Sequence, residues 1–182
     1  MLLYRLNRVQ HPNPAFFGHS IQNRFDAPDG SFGVCYFATT LDCCLLEVIV
    51  PTRRAVTTGR FVLLSELNDF YLAEARLNRT LRLAYLAGDG LAQTGMDQRV
   101  TCGDDYDLSR EWASAIHNHA SSVDGIFYPS RHHNDLHSVA LFERSQSAIS
   151  FTKLGALGDQ TIPDRWGVVC AVLSKFQWEL IL

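Results

Sequence analysis

The sequence predicts an α+β fold, and three observations carry that reading. Short β-branched and aromatic stretches such as Gly33–Ala38 and Gly125–Tyr128 have the composition of strands. Leu41, Leu45 and Val48 fall at helical spacing. The two patterns are mixed without the regular strand–helix–strand alternation of a wound parallel sheet.

Taken in order, Leu2–Leu6 is a short apolar strand interrupted by Arg5. His11 to Ser31 is rich in Pro, Gly, Asn and Asp and is expected to be loop. Gly33–Ala38 follows as a strand. Thr39 and Thr40 then offer helix caps, and Asp42 suits the positive end of a helix dipole. The helix Leu41–Val48 should stop before Pro51. Arg60–Leu64 is expected to be a strand, Asn68–Ala87 helical pieces, and Gly88–Gly103, with its four glycines, loop or broken helix. Asp107 is placed as the cap of a helix from Leu108 to about His119, with Trp112, Ala115, Ile116 and His119 on one face. Gly125–Tyr128 and Val139–Glu143 read as strands around a polar loop, Pro129–Ser138. Ala148–Lys153 is a further strand, Trp166–Lys175 a helix and Trp178–Leu182 a last short strand.

The 182 residues suit one domain, 1–182, with a core of its own. A hydrophobic fraction of 47%, a charged fraction of 19% and a net charge of −3 exclude a disordered chain. The slight acidity argues against direct nucleic-acid binding, which calls for a basic face. No apolar run approaches the roughly 20 residues that span a bilayer, and Arg5 breaks up the start of the chain where a secretory signal would sit. Five cysteines without a C-x-x-C pair fit a reducing compartment, so a cytoplasmic location without membrane attachment is expected.

Four local patterns could carry chemistry. They are Arg5 within Leu3-Tyr4-Arg5-Leu6; Asn23-Arg24-Phe25; Val34-Cys35-Tyr36-Phe37-Ala38 followed by Leu45-Leu46-Glu47; and Asp124-Gly125-Ile126-Phe127-Tyr128-Pro129-Ser130-Arg131 with Ala140-Leu141-Phe142. In this order they resemble the RES family, named for the Arg, Glu and Ser of its pattern. The family's loop Arg-(Trp/Phe), strand Tyr, A-L-x-E helix and D-G-(I/L)-x-Y-P-S turn match Arg24-Phe25, Tyr36, Leu45-Leu46-Glu47 and Asp124–Ser130. Phe25 replaces the more usual Trp, and Cys44 stands where Ala is common; both are packing changes. The resemblance implies a fold similar to ADP-ribosyltransferases and a toxin that consumes NAD⁺. Water, inorganic phosphate as co-substrate, or a protein side chain would accept the ribosyl group. It also implies a cognate antitoxin, or an immunity protein if the chain is delivered into another cell.

The residue chemistry agrees. Breaking a nicotinamide–ribose bond passes through an oxocarbenium-like state, which a carboxylate can stabilise. Glu47 is that carboxylate, and Cys43 to Val50 around it is otherwise apolar, where a charge is unusual. Arginine grips phosphate oxygens with a planar fork, which makes Arg5, Arg24 and Arg131 candidates for the NAD⁺ diphosphate. Tyr36 can pack a nicotinamide ring or bond a ribose hydroxyl. Ser130 follows a Pro turn at a strand end, a common place for a ligand-facing hydroxyl. Each also has an ordinary structural reading: edge or surface arginine, core tyrosine, turn serine. NAD⁺ enters as substrate, with no cofactor and no metal.

Three rival functions compete. His117, His119, His132, His133 and His137 crowd one region, but no zinc-type spacing links them. A serine hydrolase would want a G-x-S-x-G elbow, which is absent. A non-enzymatic partner-binding domain is the third.

Overall fold

The computed structural model describes residues 2–53 and 60–182, with the backbone alone for 50–53. Its largest unit is a seven-stranded sheet. The strands are β1 (Leu2–Arg8), β2 (Val34–Ala38), β4 (Phe70–Leu77), β5 (Leu83–Tyr85), β6 (Gly125–Ser130), β7 (His133–Phe142) and β8 (Ile149–Ala156), in the spatial order β5-β6-β7-β2-β1-β4-β8. Every pairing in it is antiparallel except β5 with β6. A second pair, β3 (Phe61–Leu63) and β9 (Glu179–Ile181), runs parallel. The helices are α1 (Leu41–Arg53), α2 (Leu64–Asn68), α3 (Asp89–Thr94), α4 (Arg99–Cys102), α5 (Asp107–Asn118) and α6 (Pro163–Lys175). This is the α+β architecture expected.

Several elements differ from expectation for identifiable reasons. Helix α1 runs through Pro51 to Arg53. A proline removes one N–H from the ladder, here the donor to the Glu47 carbonyl, and near a helix end the conformation tolerates that loss. Thr40 caps the helix as expected, its Oγ1 accepting the Cys43 N–H at 3.2 Å. Asn68–Ala87 holds no long helix but the strands β4 and β5. The Ala, Leu, Glu and Arg of β4 favour helix, yet β4 lies between β1 and β8, and tertiary pairing overrides propensity. Asp107 is the first residue of α5, not its cap; Asp105 Oδ1 accepts the Asp107 N–H at 2.9 Å. The inward face of α5 carries Ser109, Trp112, Ala113 and Ile116, whereas Ala115 and His119 are exposed. The loop expected over Pro129–Ser138 shrinks to a turn, because both flanking strands extend into it.

Strand pleat divides the sheet's side chains between three cores. Leu6, Ala38 and Leu72 meet Cys44 and Leu45 of α1 and Val169 and Val172 of α6 in the first. Phe25, Phe32, Val34, Ile126 and Phe142 form the second with α5. Leu3, Cys35, Phe37, Ala75 and Leu141 form the third on the opposite pleat. All five cysteines are free thiols. No helix of the described residues is long and apolar enough to cross a membrane.

Candidate active site

A cavity of about 530 Å³ lies where the first and second cores meet. Tyr4, Leu6, Ala38, Cys44 and Val48 line it from the first core, and Tyr36 and Tyr128 from the second. Glu47, Arg24, Arg131, His132 and Tyr106 supply its polar wall.

Glu47 enters from α1, the helix that follows β2 after two residues. Ser130 Oγ donates to Glu47 Oε1 at 2.5 Å and accepts the His132 N–H at 3.2 Å. Ser130 is fully buried and does not border the cavity. Its hydroxyl therefore holds Glu47 and is not itself presented to a ligand. The close register of β6 and β7, with a shift between Pro129 and Ser130, brings the serine to that position. Bulges of this kind re-aim side chains.

Arg24 is carried by the loop before β2 and is only 7% exposed. Its guanidinium reaches the Val100 carbonyl through Nη1 at 3.5 Å, and its Nη2 is buried without a hydrogen-bond partner. Asp26 ties that loop down. One of its oxygens accepts from Ser20 Oγ, the Gln22 and Asn23 N–H groups and Asn23 Nδ2; the other accepts the Tyr36 hydroxyl at 2.8 Å. The Tyr36 oxygen in turn accepts the Phe25 N–H at 2.9 Å. Tyr36 thus offers the cavity its ring, while its hydroxyl fixes the Arg24 loop. Burial, with Asp26 beside it, pushes the Tyr36 phenol well above its ordinary pKa. Burial and then Glu47 do the same for Tyr128, so both phenols stay protonated.

Arg131 borders the cavity and pairs with Asp104 at 2.7 Å. Arg5 is placed differently. Strand alternation sets it with Leu3 and Cys35, on the pleat away from Tyr36. Its Nη1 donates to Cys35 Sγ and to the carbonyls of Pro14 and Phe16, both at 3.2 Å. The apolar strand tolerates that charge because loop carbonyls satisfy it, so Arg5 fastens the 14–16 loop to the sheet. The structure therefore unites Arg24, Tyr36, Glu47, Ser130 and Arg131; Arg5 also borders the cavity, but its guanidinium is engaged by Cys35 and the loop carbonyls.

The histidines disperse. His117 stacks on Phe32 with 4.0 Å between ring centroids, His137 lies against Phe127, and His133 meets Phe176 edge-on. Among the described residues no three His, Cys, Asp or Glu side chains group as a metal would need. Cys43 touches Ser138 Oγ at 3.4 Å, but burial pushes its thiol up to about 11, too high for a thiolate at neutral pH.

Sequence reasoning missed Asp26, Tyr106 and Tyr128, and weighed His132 only as a metal ligand. Tyr128 stood inside a quoted motif without a role. Asp26 and Tyr106 lie in polar loops where nothing local distinguishes them from turn residues.

The chain is 28% identical to a probable toxin, y4kH, of Sinorhizobium fredii (strain NBRC 101917 / NGR234) over 131 residues, covering 71% of this chain and 98% of that protein. Its fold is similar to that in the crystal structure of the M. tuberculosis MbcT–MbcA toxin–antitoxin complex, with a TM-score of 0.62 at 17% identity over 85% of this chain and 84% of that one. The RES domain family model matches residues 2–163, which include every residue of the cavity wall. The chain belongs to the RES domain family.

Proposed function

We propose that this chain is a toxin that destroys NAD⁺ by cleaving its nicotinamide–ribose bond. The observation that carries the reading is the Ser130-held Glu47 carboxylate on a cavity that also holds a buried arginine with an unpartnered nitrogen. The bond between the ribose anomeric carbon and the pyridinium nitrogen breaks, and its electron pair stays with nicotinamide. The leaving group departs neutral, so the step needs no general acid and no metal. Glu47 stabilises the positive charge that develops on the ribose. Arg24 and Arg131 hold the diphosphate, and the Tyr36 ring packs the nicotinamide end. Water or inorganic phosphate then forms the new bond to the anomeric carbon, water releasing its proton to solvent. The family, the probable toxin among the relatives and the fold shared with a toxin–antitoxin complex support a toxin with a cognate antitoxin.

The deciding experiment incubates the purified chain with NAD⁺, with and without phosphate, and identifies products by mass. ADP-ribose identifies a hydrolase, ADP-ribose-1″-phosphate a phosphorylase, and a modified protein a transferase. Intact NAD⁺ with folded protein overturns the proposal.

A further inference from the structure

Three arginines gather around the ring of Tyr106, which immediately precedes α5. The guanidinium carbon of Arg24 lies 4.5 Å from the ring centroid and that of Arg110 5.7 Å away. Arg131 borders the same cavity as Tyr106 and lies close enough to it for the two to interact electrostatically. The three differ in how their charge is met. Arg110 is paired with Asp107 at 3.3 Å and donates to the Asn23 carbonyl at 3.2 Å. Arg131 is paired with Asp104, whose side chain is 82% exposed. Arg24 has the buried nitrogen without a partner. Arg24, Tyr106 and Arg131 border the cavity; Arg110 and Asp104 do not.

This arrangement has the parts of an anion clamp. An aromatic face holds a guanidinium plane in one orientation while leaving its edge free to donate. Arg24 borders the cavity, and one nitrogen of its guanidinium, buried beneath that wall, has no protein acceptor. Arg131 is the second prong, but its charge is engaged by a solvated carboxylate. A pair with one exposed partner is weak and exchanges readily, whereas an entering phosphoryl group offers several acceptor oxygens away from water.

We propose that Tyr106 and Asp104 set the cavity's affinity for a diphosphate. Tyr106 braces Arg24 and Arg131 as two prongs, and Asp104 is an internal competitor that gives up Arg131 when the diphosphate arrives. Neither residue lies in a segment that carries the family's motifs. The inference rests on the NAD⁺ reading for the rest of the substrate, but the clamp itself requires only the diphosphate.

Inorganic pyrophosphate is therefore the probe, titrated calorimetrically into the purified chain at fixed ionic strength. Asp104→Asn is expected to bind it about two- to fivefold more tightly than the parent. Tyr106→Leu is expected to bind it about tenfold more weakly. Tyr106→Phe keeps the ring under Arg24, removes the phenol beside Arg131, and should fall between; it decides the role of Tyr106 if the leucine variant does not fold. Opposite signs at the two positions are what a merely structural role would not produce. Unchanged or weaker binding by Asp104→Asn overturns the competitor, parent-like binding by the Tyr106 variants overturns the brace, and a parent that ignores pyrophosphate overturns the clamp. Intact NAD⁺ beside the expected pyrophosphate results would remove the NAD⁺ reading and leave the clamp standing; consumed NAD⁺ with pyrophosphate indifferent to all three changes would do the reverse.

Discussion

Glu47 keeps its geometry through a neighbour 83 residues away in sequence. Glu47→Gln preserves shape and removes the charge, so NAD⁺ turnover should fall about 10²–10³-fold, with binding of NAD⁺ little changed. Ser130→Ala leaves the charge but frees the carboxylate from its donor. A hydrogen bond to a charged group is worth about 1.5–3 kcal/mol, so turnover should drop about ten- to a hundredfold. Because Ser130 acts through Glu47, adding Ser130→Ala to Glu47→Gln should cost little more; additive losses in that double-mutant cycle would show that the serine has an independent role. Asp26→Asn tests the loop instead. An amide cannot accept every N–H and O–H that converges on the carboxylate, so the NAD⁺ KM should rise more than kcat falls. Glu47 was legible in sequence because a charge in an apolar helix demands a reason. Asp26 was not, because its partners are backbone and polar groups that any loop provides.

At the scale of elements, strands and helices with matching propensity and pattern were readable: β1, β2, β6, α1 and α6 fall where their residues put them. The helix ends and β4 did not, since neither pairing across a sheet nor tolerance of Pro51 is written in local composition. The edge formed by β5 and β6 depends on one buried acid. Asp124, 6% exposed, accepts two bonds from Arg79, at 2.9 and 2.6 Å, and the Arg82 N–H at 2.8 Å. The Arg79 hydrogen bonds hold its pKa below the ordinary carboxylate value. Its contribution to stability is therefore complete above the unfolded value, near 3.9, and is lost as pH falls through the lower folded value. Asp124→Asn should cost about 1–3 kcal/mol at neutral pH in urea unfolding and should flatten the acid limb of the stability–pH curve. An unchanged acid limb would assign the acid sensitivity to other carboxylates.

Over the whole molecule, β7 joins the parts. It pairs with β6 on one side and β2 on the other, and its Phe142 meets Phe32 and His117 edge-on in the second core. Phe142→Ala should destabilise the fold by about 3–5 kcal/mol, seen as a lower midpoint in denaturant with an unchanged slope. The α+β class and the family pattern were visible from residue types alone, because Arg24, Tyr36, Glu47 and Ser130 keep their order along the chain. That order did not say that Arg5 would turn to the other pleat, or that Tyr106 would collect arginines, since both depend on which strands and loops become neighbours.

The pairing of β7 also sets a timetable. Glu47 is synthesised early, but the serine that holds it sits at the end of β6, and the strand that seats β6 beside β2 comes later still. A nascent chain has no complete site until His133–Phe142 has left the ribosome and docked between its neighbours. The carboxylate and the hydroxyl that holds it are thus brought together by a strand that follows both of them in the chain.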